Sequence, residues 1–169
     1  GLSTYRVFDR SAEPAYADRQ RLASGVELPT GAGEVPRNAR VFVAVPFIAR
    51  LGMSVVHAQD GEAFMALPAN PELADVDGAV HEGVVAALMD TTGAMASWSI
   101  TGLDFTYKAS TVGIHVSFHA PARGDLVAHA RCRRRNNEIF LNAVEVSERA
   151  GGKVVASGMR EGVGVELKS

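Results

Sequence analysis

The chain has 169 residues, of which 47 % are hydrophobic, and this length and composition predict one folded domain with a substantial core. Lys and Arg total 17 against 19 Asp and Glu, a formal net charge of −2, which argues against a nucleic-acid binder. No run of about 18 apolar residues indicates a membrane span, and the single cysteine, Cys132, excludes an intrachain disulfide, as expected for a cytoplasmic protein.

The first 40 residues differ in composition from the rest of the chain. They are polar and include the loop-forming run Pro-Thr-Gly-Ala-Gly at positions 29–33. A short helix over residues 13–23 is compatible with the helix propensities there. We therefore predict an N-terminal extension of loop and short helix at 1–40, followed by one domain at 41–169.

A short helix and a hairpin open the predicted domain. Pro46 near the first turn and Gly52 as the stop predict a helix over residues 46–51. Residues 53–59 and 62–67 have strand patterns, and Asp60-Gly61 between them is typical of a tight hairpin turn.

The pattern changes to helix at about residues 81–98. Apolar residues lie on nearly all sides of that segment, which predicts a buried helix. Strand patterns return over residues 111–119, 126–135, 139–147 and 153–161. Alternation in the first of these strands predicts Val112 and Ile114 on one face, with Thr111, His115 and His119 on the other.

This order of elements predicts an α+β fold. Consecutive strands joined by tight turns, at 60–61, 121–124, 136–137 and 151–152, are expected to pair antiparallel. One antiparallel sheet must bury one face, and a single long apolar helix is available to cover it. The expected architecture is a curved antiparallel sheet wrapped round a long central helix.

Asp90 is the only charged residue between Gly83 and Leu103. A buried carboxylate costs several kcal/mol unless it is paired or hydrogen-bonded. Asp90 is therefore either a structural group, bonded to Thr or Ser hydroxyls, or a functional base. Its helical neighbours are all small, which predicts close approach of another backbone or room for a ligand. These neighbours are Gly83, Ala86, Ala87, Gly93, Ala94 and Ser97.

The start of the same helix offers a second chemical feature. The first amides of a helix lack internal partners, so those of Glu82 and Gly83 can donate to a developing oxyanion. Asp90 lies two turns further on, roughly 11 Å along the axis. One chain does not obviously bring both groups to one carbonyl, whereas antiparallel helices from two subunits can.

The segment HEGVVAALMDT at 81–91 places Asp90 nine positions after His81. It resembles the hotdog-fold thioesterases of the phenylacetate-degradation type, whose signature is His-Gly-Gly opening the central helix and a catalytic Asp at this spacing. Residues 111–125 and 152–158 extend the resemblance to about residues 46–165. The resemblance implies hydrolysis of an acyl-CoA thioester without cofactor or metal. It also implies a homodimer or homotetramer with sites at the subunit interface.

The resemblance also implies roles for individual residues. Asp90 is the nucleophile or general base, and the amide of Glu82, with that of Gly83, holds the oxyanion. Thr111 matches a position where some relatives carry a Ser that orients the attacking water. His81 is expected to orient or cap the helix start rather than to act as a base.

Two departures from the family pattern support an alternative function. Glu82 replaces the first Gly of the signature, and Asp75 stands near a position where relatives often carry a substrate-binding Asn. An ionised Asp cannot donate a hydrogen bond. The alternative is a non-catalytic hotdog module that binds acyl-CoA. A hydratase acting on enoyl thioesters is a third hypothesis, although such sites pair a His with a carboxylate in a different motif.

Several basic residues are candidates for binding the phosphates of CoA. Arg133 and Arg134 belong to an arginine-rich run at 131–135, and Arg123 lies in the turn after the 111–119 strand. A solvated strand end is the alternative explanation for the run. The five histidines form no metal-binding pattern, and we expect Cys132 to be structural.

Overall fold

The computed structural model describes residues 39, 42–100, 107–136 and 138–166. The predicted extension at 1–40 therefore lies, except for Ala39, outside the described residues. The helices and strands are α1 (Pro46–Leu51), β1 (Ser54–Gln59), β2 (Glu62–Leu67), α2 (Glu82–Ile100), β3 (Tyr107–Phe118), β4 (Leu126–Asn136), β5 (Ile139–Glu148) and β6 (Val154–Glu166), with a 3₁₀ turn at Pro71–Leu73 before α2.

The strands form one six-stranded antiparallel sheet in the order β1-β2-β4-β5-β6-β3. The predicted hairpin between β1 and β2 is confirmed: Asp60 and Gly61 both have positive φ, 50° and 83°, as a two-residue hairpin turn of the primed type requires. Gly151 and Gly152, with φ of 85° and 67°, make the turn between β5 and β6. The predicted α+β architecture is thus confirmed.

One predicted pairing is wrong: β3 and β4 are consecutive but are not neighbours in the sheet. β4, β5 and β6 follow one another as hairpins, and β2 occupies the free side of β4. Both sides of β4 are therefore occupied, and β3 pairs with β6 at the edge of the sheet. The 119–125 segment therefore crosses the end of the sheet, and Val80 donates its amide to the carbonyl of Ala122 on the way.

The central helix α2 packs across one face of the sheet, as its apolar sequence predicts. Leu88, Met89 and Met95 are at most 1 % exposed and meet fully buried Met65 and Leu126. Burying such a side chain contributes roughly 1.5–3 kcal/mol relative to leaving it in water. The core therefore fixes the rotation of α2, and with it the direction in which Asp90 points.

A β-bulge in β3 corrects the predicted face of Thr111. Thr111 pairs with Gly162 and Ile114 pairs with Arg160, with the irregularity between Thr111 and Gly113. Because directly paired residues share a face, Thr111 and Ile114 lie on the same side although they are three positions apart. His115 pairs with Met159 on the opposite side, so the expectation that Thr111 and His115 share a face is wrong.

Gly158 allows β3 and β6 to approach each other closely. A Cβ built there would overlap the carbonyl oxygen of His115 and lie 3.2 Å from Met89 Cε. We expect Gly158→Ala to lower the free energy of unfolding by about 2 kcal/mol, the usual cost of overpacking. Urea denaturation of both proteins measures the difference. Gly113→Ala is the control, since an added Cβ there meets nothing nearer than 3.9 Å, and an equal loss in both variants would contradict the packing argument.

Candidate active site

Three side chains from three elements meet at the middle of α2. Thr111 Oγ1, on β3, lies 2.6 Å from Asp90 Oδ1. Arg160, on β6, donates from Nε to the same Oδ1 at 3.1 Å and from Nη2 to Thr111 Oγ1 at 2.8 Å. Of the residues predicted from sequence, the structure brings Asp90 and Thr111 into direct contact.

The direction of the hydrogen bonds follows from the donor inventory. Arg160 has only donors, so Thr111 Oγ1 accepts from Nη2 and uses its own hydrogen toward Asp90 Oδ1. Asp90 Oδ1 thus accepts two hydrogen bonds, whereas Oδ2 has no hydrogen-bond partner among the described residues. Thr111 can contact a water molecule only as an acceptor in this arrangement.

Arg160 is a site residue that the sequence reasoning missed. Its side chain is 4 % exposed, while that of Asp90 is 41 % exposed. Burial lowers the pKa of the Arg160 guanidinium, and the Asp90 carboxylate opposes that shift. The sequence holds one signal: Arg160 is the only charged residue between Lys153 and Glu161, and three glycines, Gly158, Gly162 and Gly164, lie near it.

Asp90 is less buried than the sequence predicts, because its carboxylate lies at the rim of the helix packing. One of the small residues around it, Gly93, also has a different role from the one expected. A Cβ added at Gly93 would lie 2.8 Å from Arg160 Cδ and 3.4 Å from Val144 Cγ2. At Gly93 the helix therefore makes room for a side chain, rather than for another backbone or a ligand.

The start of α2 is capped by His81. Its Nδ1 accepts a hydrogen bond from the amide of Gly83 at 2.9 Å, and its carbonyl accepts from the amide of Val84 at 2.9 Å. The geometry is that of a capping residue. The Gly83 amide is thus already engaged, whereas the amide of Glu82 has no acceptor within the described part of the chain.

A cleft of about 270 Å³ opens beside this first turn, between α2 and the end of β3. Its walls include Val80, Glu82, Val85, Phe118, His119 and Ala122. It combines apolar walls with a helix N-terminus, which is the combination a carbonyl-bearing acyl group requires.

Asp75 and Arg123 hold the loop that leads into α2. Asp75 Oδ1 accepts from the amide of Val76 at 2.6 Å, and Arg123 Nη1 donates to the carbonyl of Asp77 at 2.9 Å. Both side chains are exposed and neither contacts Asp90. Arg123 lies at the same end of the sheet as the cleft, since its neighbour Ala122 is part of the wall.

The arginine-rich run lies at the other end of the sheet, where α2 ends. Gly61 donates its amide to Ser99 Oγ, near the end of α2, and its carbonyl accepts from the amide of Cys132, the residue after Arg131. Arg131 is paired with Glu62 at 2.6 Å, and this contact, with that of His129, lowers the pKa of the Glu62 carboxyl. Arg133 is exposed, and the side chain of Arg134 lies outside the described part of the chain. The structure therefore does not bring Arg133 together with Arg123.

No group of three His, Cys, Asp or Glu side chains within the described residues is arranged to hold a metal ion. His129 stacks on Phe64, with ring centroids 4.1 Å apart, and His119 contacts Ser157 Oγ at 2.8 Å. These contacts account for the two histidines by packing and hydrogen bonding.

Comparison with known proteins relates the chain to one family. Residues 77–155, which include the whole of α2, Asp90 and Thr111, match the family model described as the thioesterase superfamily. The match covers slightly under half of the chain, so its central part is similar to the thioesterase superfamily. The hotdog fold and the resemblance to the phenylacetate-degradation type are confirmed by the solved structures that this chain matches.

Three similar proteins show how far the likeness extends. A candidate esterase of Halobacterium salinarum is 34 % identical over 99 residues, which is 57 % of this chain and 66 % of that protein, slightly under two thirds of its length. A conserved protein of Pseudomonas aeruginosa is 25 % identical, with a TM-score of 0.68, over 75 % of this chain and 99 % of that one. A variant of the phenylacetic acid degradation protein PaaI of Thermus thermophilus is 27 % identical, with a TM-score of 0.61, over 70 % and 97 %.

Within the described ranges, no helix is both long and apolar enough to cross a membrane.

Proposed function

We propose that this protein is a thioesterase that hydrolyses acyl-CoA thioesters, with Asp90 as the general base or the nucleophile. The observation that carries the proposal is the half-exposed carboxylate of Asp90 on the central helix. Its Oδ1 is held by Thr111 and Arg160, and its Oδ2 has no hydrogen-bond partner among the described residues. A carboxylate fixed through one oxygen and open through the other can accept a proton at a defined place.

In the general-base route, Asp90 Oδ2 takes a proton from water while the water oxygen bonds to the thioester carbon. The carbonyl electrons move to oxygen, and the amide of Glu82 stabilises that oxyanion. When the intermediate collapses, the carbon–sulfur bond breaks and the leaving sulfur receives the proton from Asp90. The products are a carboxylic acid and free CoA. In the alternative route Oδ2 attacks the carbon first and the carbon–sulfur bond breaks to release CoA as its thiolate. Water then hydrolyses the resulting anhydride, which frees the carboxylic acid, regenerates Asp90 and supplies the proton that the thiolate takes up.

The proposal requires two copies of the chain. Asp90 and Glu82 lie on one helix, about 12 Å apart along its axis, so a single carbonyl cannot contact both groups of one copy. β3 is an edge strand and exposes Val112, Ile114 and Phe118, which are 53 %, 42 % and 47 % exposed. Pairing of two such edges in a homodimer, with or without further assembly into a tetramer, would bring Asp90 of one copy toward Glu82 of the other.

Arg123 is the better placed of the arginine candidates for binding CoA phosphates. It lies beside the cleft at the start of α2, whereas Arg133 lies at the opposite end of the sheet. Its guanidinium is exposed and uses Nη1 toward Asp77, which leaves other donors for a phosphate. Water and the thioester supply all the atoms of the reaction, so we propose no cofactor and no metal.

The second candidate function is acyl-CoA binding without hydrolysis. Two observations favour it: the acidic residue Glu82 lines the cleft, and His81 already engages the Gly83 amide. Both features reduce what the helix start can offer to an oxyanion.

The experiment that separates the two functions is release of CoA from short, medium, long and aromatic acyl-CoAs. Chromatographic detection is preferable to a thiol dye, because Cys132 is a free cysteine. Hydrolysis of any acyl-CoA in this series supports the proposed function and identifies the class of acyl group that the protein accepts. A rise in melting temperature with acyl-CoA but no release of CoA would instead establish the binding module.

A further inference from the structure

The side chain of Arg160 lies in a slot that two glycines keep open. A Cβ added at Gly162 would overlap Nη1 of Arg160 and lie 2.7 Å from its Cζ, and one at Gly93 would lie 2.8 Å from its Cδ. The slot passes between α2 and β6 and ends at Asp90 and Thr111. Any side chain at position 162 would therefore move the guanidinium.

The backbone of Arg160 is held by the buried side-chain amide of Asn142. Asn142, on β5, is fully buried and pairs with Arg160 across the sheet. Its Nδ2 lies 2.9 Å from Ser97 Oγ, on α2, and 3.5 Å from the carbonyl of Arg160. The backbone of β6 is thus tied to the same helix that carries Asp90, so the guanidinium has little freedom to shift.

A buried ion pair is weak grounds for stability by itself. The desolvation of the charged groups commonly offsets their attraction, and replacing such pairs by apolar groups is often neutral. The guanidinium of Arg160, unlike an apolar side chain, donates hydrogen bonds to Asp90 and Thr111 at the same time. It thereby sets the direction of the Thr111 hydroxyl.

We infer that Arg160, in the slot made by Gly93 and Gly162, is a positioning residue that holds Asp90 Oδ1 and the Thr111 hydroxyl so that Asp90 Oδ2 is the reacting oxygen. The inference rests on the proposed thioester hydrolysis. Because Arg160 is almost fully buried, it acts through Asp90 and Thr111 and does not contact substrate.

The test compares kcat and KM for wild type, Arg160→Met, Arg160→Lys, Gly162→Ala and the double variant Arg160→Met/Gly162→Ala. Gly164→Ala is the matched control on the same face of β6, where an added Cβ comes no nearer than 3.1 Å to the ring of Phe140. Melting temperatures establish that each protein is folded. If Gly162→Ala does not fold, Arg160→Met still decides the outcome.

We expect Arg160→Met and Gly162→Ala each to lower kcat by about 100-fold, the effect of misplacing a reacting group by about 1 Å. KM should stay within about threefold of wild type, because Arg160 does not contact substrate and the placement of Asp90 Oδ2 affects the transition state rather than substrate binding. Arg160→Lys keeps the positive charge but loses the planar guanidinium with its several donors. Its kcat should therefore lie between those of wild type and Arg160→Met. Gly162→Ala should lower kcat no further in the Arg160→Met background, since it acts through the guanidinium.

Other outcomes overturn the inference. If Arg160→Met keeps kcat within about twofold of wild type, a value too small for a lost positioning contact, Arg160 is only structural. A raised KM with unchanged kcat would make it a binding group, and additive losses in the double variant would make Gly162 a strand-packing residue. A wild type that releases no CoA overturns the proposed function together with this inference, whereas an active wild type with an active Arg160→Met overturns the inference alone.

Discussion

Replacing Asp90 by asparagine should lower kcat for CoA release by about a thousandfold, within the usual contribution of a general base. The asparagine side chain is nearly isosteric, and its oxygen still accepts from Thr111 and Arg160. What it loses is the ability to take up a proton or to attack the thioester carbon. Steady-state kinetics with the best substrate of the acyl-CoA series measures the loss.

The matched control is Asp125→Asn. Asp125 Oδ1 accepts a hydrogen bond from the amide of Ala69 at 2.8 Å, far along the chain from the Asp90 cluster, so the same chemical change is made at a carboxylate with a structural role. We expect this variant to keep kcat near the wild-type value. If Asp90→Asn is folded and still turns over at more than about a tenth of the wild-type rate, too much for a lost general base, the proposed role of Asp90 is wrong.

Local patterns predicted the elements of the fold well, because each rests on neighbouring residues. The short helix Pro46–Leu51 and the strand Glu62–Leu67 have the predicted bounds, and Asp60-Gly61 forms the predicted turn. The position of β3 beside β6 was not predicted, because a connection of the length 119–125 serves equally well for a hairpin or for a crossing. The choice between them depends on which strand edges the later hairpins leave free.

The site was predicted only as far as the central helix determines it. Asp90 stood out as a lone charge in an apolar helix, and family likeness pointed to Thr111. Arg160 could not be found in this way, because its contact with Asp90 depends on the pairing of β6 with β5 and on the packing of both against α2. The bulge after Thr111 reverses the simple alternation of β3 and is what allows the Thr111 hydroxyl to reach Asp90.

The sequence predicted that His81 orients or caps the start of α2, but not which backbone amide it would occupy. A capping histidine that accepts from the Gly83 amide leaves the Glu82 amide as the donor for an oxyanion. Glu82 is the first residue of α2, a position where a backbone donor is free and where proline is tolerated. The amide can therefore be removed without breaking the helix.

This leads to a test of whether one active site is shared by two copies of the chain. Glu82→Pro deletes the amide donor and should lower kcat by about 100-fold or more, as loss of one oxyanion donor does. Glu82→Ala is its control, because it removes the carboxylate and keeps the amide. If the carboxylate in the cleft hinders the oxyanion, Glu82→Ala should be as active as wild type or more active.

Mixing the two inactive variants should restore activity. In a dimer of one Asp90→Asn copy and one Glu82→Pro copy, one site has the intact Asp90 of the second copy and the intact Glu82 amide of the first. The other site lacks both. Random re-association of equal amounts should make half of the dimers mixed, and each mixed dimer has one intact site out of two. About a quarter of wild-type activity should therefore return for a two-fold symmetric shared site.

The measurement compares subunits refolded together from urea with each variant refolded alone. Activity no greater than the mean of the two separate variants, despite demonstrated exchange of subunits, would mean that Asp90 and the Glu82 amide do not meet across the interface, and the oxyanion donor would then have to be sought in the copy that supplies Asp90.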